Sequence, residues 1–197
     1  MGVLPSQKIR ELLRRKEIQI IPLLDEEEQI GKGSIDVRLG FDFVYFRKSN
    51  ISVVDPLDVS MDDYNERLFL RPGQRLILHP KDFVLASTLE YIVFSDKVMA
   101  YVEGRSSWGR MGLIIATATV VSPGYKGIIT LEISNLGDVP IALYPGMRVA
   151  QLVLHTVEEG EKWSYSHRDK YLFSLSPEPG RISKDKDWGI IRRWTQK

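Results

Sequence analysis

From Phe41 to Leu154 the sequence breaks into short runs rich in β-branched and aromatic residues, separated by Pro72-Gly73, Pro123-Gly124, Leu136-Gly137-Asp138 and Pro145-Gly146. Proline presets φ at the second position of a turn and glycine accepts the positive φ of the third, so such pairs end one strand and start another. No helical period of useful length interrupts the runs, and their spacing suits a sandwich or barrel. An all-β core follows. Within it Pro72-Gly73-Gln74-Arg75-Leu76 and Pro145-Gly146-Met147-Arg148-Val149 both open apolar strands, ending near His79 and at His155. Two related openings fit a double-sheet jelly roll, or reflect shared turn chemistry alone.

Outside these runs the pattern predicts a helix over residues 6–16, started and capped by Pro5 and Ser6, with Ile9, Leu12 and Leu13 at helical spacing. A strand is expected over Ile18 to Leu24 and a surface turn over Asp25 to Glu28. Gly33 to Gly40 alternates Ile35, Val37 and Leu39 against Ser34, Asp36 and Arg38, the period of a half-buried strand, with Asp36 and Arg38 as an ion pair on its polar face. After residue 156 the character changes. The division expected is a helix plus β-barrel catalytic domain over residues 1–156, and a tail over 157–197 that packs on the same domain or on a neighbouring subunit. Aromatics beside His167, Arg168 and Lys170 suit a lid over an anionic ligand, and Trp188 and Trp194 suit docking anchors.

A length of 197 residues allows one substantial core, and a net charge of +1 argues against bulk binding to nucleic acid or an anionic membrane. The absence of cysteine excludes disulfides, thiolate metal sites and a cysteine nucleophile. His79, His155 and His167 form no metal-ligand motif, so no protein-ligated metal is expected. No apolar run approaches the ~20 residues of a membrane span, and no signal-peptide core opens the chain. The expectation is a cytoplasmic protein.

The stretch Gly104 to Glu132 carries the chemistry. Its first seven residues hold two glycines, the hydroxyls of Ser106 and Ser107 and the guanidinium groups of Arg105 and Arg110. Such a loop suits the oxygens of a phosphorylated ligand, because glycine permits close approach and arginine donates paired hydrogen bonds. Further on, alternation places Ile129, Leu131 and Ile133 on one strand face and Thr130, Glu132 and Ser134 on the other. Glu132 is then either an exposed cross-strand partner or the acid or base of a reaction.

Taken together, GRSS-x-G-R-x-G-L, then T-A, PGYKG-x-ITLE and N-x-G-x-x-P-I-x-L-x-PGM-x-x-x-QL resemble the dCTP deaminases, relatives of the trimeric dUTP pyrophosphatases. Gly33 to Gly40, Phe83 to Glu90 (FVLASTLE), Lys170-Tyr171 and Ser183-Lys184-Asp185 resemble other parts of the same family. The resemblance implies a distorted jelly roll of the dUTPase-like β-clip type, assembled as a homotrimer with active sites between subunits. It implies replacement of the cytosine 4-amino group by oxygen, with cleavage on to dUMP in some relatives. Glu132 matches the catalytic glutamate, and Ser106 and Arg110 match the residues beside it. Arg105, Ser107, Ala118, Ser122, Thr130, Leu131, Gln151, Tyr165 and Lys170 fall at nucleotide-binding positions, with Mg²⁺ arriving on the triphosphate.

That chemistry needs a base to take a proton from water and return it to the ring nitrogen and the departing amine. A half-buried glutamate near an arginine suits the task, with Ser106 and the carbonyls around Ala118 holding the water. The H-x-E and P-C-x-x-C signatures of zinc deaminases do not occur. Two positions depart from the resemblance: Ser122 stands where relatives carry a sugar-side aspartate, and Ser174 where they carry a tail glutamine. Two alternatives stand beside deamination: a dUTP pyrophosphatase-type hydrolase, against which Ser122 counts, and a catalytically altered nucleotide-binding homotrimer, which both departures motivate.

Overall fold

A computed structural model describes residues 2–46, 53–55, 65–116, 118, 120–158, 170–181 and 187–195. The first helix, α1 (Ser6–Arg14), buries Ile9 and Leu12. It is two residues shorter than the periodicity suggests because Lys16 takes φ 58° and the amides of Lys16 and Glu17 bond back to the carbonyls of Leu13 and Leu12, a Schellman stop. Ser6 is not its cap. Pro5 holds that position without a side-chain bond, and the Ser6 amide is satisfied by the Lys32 carbonyl.

Strand β1 (Ile18–Ile21) stops before Pro22, three residues short of the expected limit at Leu24. The acidic run is a short helix rather than a turn. In α2 (Glu26–Gln29), the Asp25 side chain accepts from the Glu28 amide at 3.0 Å and three glutamates fill the first turn, where the helix dipole favours negative charge. Strand β2 (Ser34–Phe46) extends well past Gly40, and its Ile35, Val37 and Leu39 are fully buried, as the alternation requires.

The remaining strands are β3 (Asn65–Phe69), β4 (Leu76–Leu78), β5 (Phe83–Phe94), β6 (Val98–Gly104), β7 (Leu113–Ile115), β8 (Val120–Val121), β9 (Lys126–Asn135), β10 (Ile141–Leu143) and β11 (Arg148–Thr156). Two further helices, the single turn α3 (Ser106–Gly109) and α4 (Trp188–Thr195), complete the described elements. All described pairings are antiparallel. One curled sheet runs β7-β9-β5-β2-β11-β6-β8, with β1 on β5 and β3 on β2, and β4 pairs with β10 in a second small sheet. The two Pro-Gly-x-Arg openings therefore lead into different sheets. What they share is the turn: Gly73 at φ 85° and Gly146 at φ 90° each follow proline, and the next amide bonds back to the carbonyl of Arg71 or Tyr144. Ser122 to Tyr125 makes a third such turn, with Gly124 at φ 76°.

Curling depends on β2, whose first half pairs with β11 and whose second half pairs with β5 and β3. At the changeover Gly40 lies against β5: a Cβ there would stand 2.1 Å from Ser87 Oγ and 2.9 Å from the Thr88 carbonyl. The Ser87 hydroxyl can turn aside, but the Thr88 backbone cannot.

Beside this crossing a carboxylate, Glu90, is fully buried. Its oxygens accept from the Arg38 amide at 2.8 Å and from Gln29 Nε2 at 3.1 Å. Burial outweighs these bonds and lifts Glu90 to about 7 from its ordinary 4.5.

Gly40→Ala is expected to destabilise the fold by about 1–3 kcal/mol, read as a lower urea midpoint at unchanged slope. For Glu90, the folded state retains a proton that the unfolded chain has lost, so stability declines as pH rises from about 4.5 to about 7. The loss attributable to this group is at most about 3 kcal/mol. Comparing melting temperatures across that window, Glu90→Gln should decline less than the wild type; parallel curves would refute this assignment.

Candidate active site

Strand β9 is the floor of the site. Ile129, Leu131 and Ile133 enter the core while Thr130, Glu132 and Ser134 are half-buried on the opposite face. Thr130 and Glu132 open onto a cavity of about 320 Å³, within the range of small-molecule sites. Its apolar walls include Phe46, Phe83, Leu85, Val120 and Ile128, and its polar ones Ser122, Tyr171, Ser174 and Glu178. Among the described residues that line it there is no Lys, Arg or His. Withdrawal from water raises the pKa of Glu132. A carboxylate that holds its proton longer than usual is better suited to return one it has taken.

The fourth wall comes from the tail. The Phe173 amide donates to the Lys126 carbonyl at 2.7 Å and the Ile128 amide to the Ser174 carbonyl at 2.9 Å, so the returning chain lies along the start of β9. Gly127 makes room for it, since a Cβ there would stand 3.0 Å from the Ser174 amide nitrogen.

Of the residues singled out in the sequence, Glu132, Thr130, Ala118 and Ser122 line this cavity. Leu131 is fully buried in the core, so only its main chain is near the site. Lys170 immediately precedes the lining residue Tyr171, and its carbonyl accepts from Arg181. Tyr165, together with His167, Arg168 and residues 183–185, lies outside the described residues.

The Arg-Ser loop goes elsewhere. None of residues 104–110 lines the cavity. Arg105 pairs through Nε with Asp36 at 3.2 Å and donates to the Arg148 carbonyl at 3.1 Å, an acceptor it shares with Trp108 Nε1 at 2.9 Å. Arg148 also pairs with Asp36, at 3.4 Å. The expected Asp36–Arg38 pair is thus replaced by contacts from Arg105, just after β6, and from Arg148 in β11, while Arg38 donates to the Gly146 carbonyl at 2.9 Å. Burial raises the pKa of Asp36, opposed first by Arg105 and then by Arg148. Gln151 belongs to the same group, accepting from Ser34 Oγ at 2.8 Å. So anchored, the loop forms α3 rather than an irregular turn and presents Ser106, Ser107 and Arg110 to solvent.

Sequence reasoning missed Glu178 and the paired rings of Phe46 and Phe83, with centroids 5.4 Å apart. No local signal announces them, because each reaches the cavity from a distant part of the chain. Among the described residues no group of three or more His, Asp or Glu side chains is arranged to hold a metal ion, and no helix is long and apolar enough to cross a membrane.

A family model described as dCTP deaminase-like matches residues 3–157. The chain is 43% identical over 190 residues to a dUMP-forming dCTP deaminase of Methanobrevibacter smithii, covering 94% of this chain and 97% of that one. It is 39% identical over 191 residues to a dCTP deaminase of Natronomonas pharaonis, covering 95% and 98%. The solved 2′-deoxycytidine 5′-triphosphate deaminase of Agrobacterium tumefaciens superposes with a TM-score of 0.62 at 23% identity, over 79% of this chain and 48% of that one. This last likeness concerns the fold, and the chain spans about half the length of that protein. With the family pattern running across the whole β core and relatives similar over nearly the full length, the chain belongs to the dCTP deaminase-like family of enzymes.

Proposed function

We propose that this protein deaminates dCTP, and that the observation carrying the reading is the half-buried carboxylate of Glu132 on the wall of a largely apolar cavity. Water adds to C4 of the cytosine ring as Glu132 removes one of its protons and delivers it to N3. The C4–N bond then breaks as a C4 carbonyl forms, the second water proton passing to the 4-amino group, which leaves as ammonia. The products are dUTP and ammonia, with Glu132 returned to its starting state. The raised pKa of Glu132 suits both halves of this shuttle.

The triphosphate is placed outside the cavity, whose described walls offer it no cation. It arrives with Mg²⁺ as part of the substrate. Its oxygens are assigned to the outward-facing Ser106, Ser107 and Arg110 of a neighbouring copy in a homotrimer, with Arg105 fastening that loop and with Arg110 and Ser106 nearest the reacting end. The separation of loop and cavity within one chain supports this reading. Gln151 holds the loop, and Thr130, Ser122, Ala118 and Lys170 border the nucleoside. A second step to dUMP is favoured by the Methanobrevibacter smithii relative, whose name specifies that product.

Incubating the protein with Mg²⁺ and dCTP should release ammonia together with dUTP, or with dUMP and pyrophosphate. Binding of dCTP without consumption would leave a nucleotide-binding protein and sink the proposal. Glu132→Gln should lower kcat by roughly 10²–10⁴-fold while dCTP still raises the melting temperature. As the base must be ionised, activity should fall with decreasing pH, with its midpoint above the ordinary carboxylate range.

Subunit sharing has its own readout. Refolding Glu132→Gln with Arg110→Ala chains should restore activity absent from either variant alone, to about a quarter of wild type, because a random mixture builds that share of interfaces with both residues intact. No recovery in verified mixed trimers would place Arg110 and Glu132 in the same chain's site or in none.

A further inference from the structure

The cavity contains a second carboxylate. Besides Glu132, Glu178 is the only acidic residue among the described lining residues, and it arrives from the tail rather than the sheet. Its amide donates to Thr130 Oγ1 at 3.2 Å. Thr130 stands one strand repeat, roughly 7 Å, from Glu132 on the same face, so this bond brings the tail backbone to the wall beside Glu132. The Glu178 side chain is held at both oxygens. Oε1 accepts from Ser174 Oγ at 2.7 Å, and Oε2 is buried in an ion pair with Arg181. The arginine is itself fixed by the Lys170 carbonyl.

A carboxylate held this way is a preorganised acceptor, because Ser174 uses only part of the capacity of Oε1. Its charge excludes phosphate from this wall and favours a ligand donor, which would otherwise be buried among apolar side chains without a partner. A 2′-deoxycytidine nucleotide offers two kinds of donor: the 4-amino group, which belongs beside Glu132, and its single sugar hydroxyl at the 3′ carbon.

Resting on the deaminase reading above, we propose that Glu178 is a specificity-determining residue that accepts a hydrogen bond from the 3′-hydroxyl of the bound deoxynucleotide. The tail is then a wall of the sugar pocket as well as a cover for it. Ser174 acts through Glu178, orienting Oε1, and Arg181 holds Oε2.

The test compares dCTP with 2′,3′-dideoxycytidine triphosphate, which lacks the hydroxyl, on the full-length wild type, Glu178→Gln and Glu178→Ala. The ratio of the two kcat/KM values is read from ammonia release, and the ratio of the two Kd values from calorimetry with Mg²⁺. Wild type should prefer dCTP by roughly 10- to 100-fold, the scale of a hydrogen bond to a charged acceptor left unpaired in the analogue. The ratio should shrink in Glu178→Gln, which keeps the shape and a weaker acceptor, and approach one in Glu178→Ala. A glutamate that only fastens the tail would weaken both nucleotides equally and leave the ratio unchanged, which overturns the proposal. If Glu178→Ala does not fold, the Gln ratio decides by the same criterion. Should wild type bind dCTP without releasing ammonia, the deaminase reading fails while the Kd ratio still decides the role of Glu178. No binding of dCTP at all overturns both.

Discussion

At Gly40 two backbones meet too closely for a side chain to stand between them, and the rest of the sheet is laid out from that contact. Up to Arg38 β2 pairs with β11, at Leu39 it meets β5, and past Gly40 it runs beside β5 and β3. The partner strand is irregular at the same place, with register shifts in β5 between Ser87 and Tyr91. There the Thr88 hydroxyl donates to the Glu90 carbonyl at 2.8 Å and accepts from the Ile129 amide at 2.9 Å. Ile129 opens the regular alternation of β9. The side of the sheet on which Thr130 and Glu132 emerge is therefore set by how β5 bends around Gly40, and a register slip of one residue would send Glu132 into the core.

Among the described residues three carboxylates have pKa values raised by burial, and their surroundings separate structure from chemistry. Glu90 is enclosed by neutral donors, the Arg38 amide and the Gln29 side chain, and borders no described cavity. Asp36 lies between two guanidinium groups that oppose its desolvation and that also fasten the loop before α3. Of the three, Glu132 is the one that lines the described cavity. A perturbed carboxylate is a candidate for catalysis only where a substrate atom can reach it, and geometry reduces three candidates to one.

Much of this was legible in the sequence where the cause is local. Three Pro-Gly turns adopt the positive φ their residue types demand, and the alternation of residues 129–134 places Glu132 correctly. In the motif N-x-G-x-x-P, Asn135 is buried and its amide donates to the carbonyls of Leu78 and Val139, while its Oδ1 accepts from Gly137. One side chain thus ties β9 to the second sheet. Other features have no local signature. The four-residue helices α2 and α3 are shorter than any helical period can reveal, although Asp25 before three glutamates carries a capping signal. Asp36 finds its arginines some 70 and 110 residues away along the chain, through register that alternation cannot supply. Glu178 reaches β9 only because the tail folds back, a long-range event in a segment whose composition reads as irregular.

The anchoring of the Arg-Ser loop explains why the site is read as shared. Arg105 and Trp108 are occupied in fastening the loop to β11, which leaves Ser106, Ser107 and Arg110 as the outward-facing set. A fixed cluster of donors on the surface is suited to an anion, and a half-buried carboxylate in an apolar cavity is suited to a neutral base. A nucleoside triphosphate needs both at once. Within one chain the loop does not reach the cavity, so joining them requires either a large displacement that breaks the Asp36–Arg105 pair or a second chain. A rotational assembly in which each loop meets the next cavity satisfies the requirement without disturbing a packed element, and closure of the ring gives every cavity a loop. Under the proposed sharing, any closed assembly in which each loop meets a neighbouring cavity holds the substrate's two ends together, so association would belong to the catalytic mechanism as well as to stability.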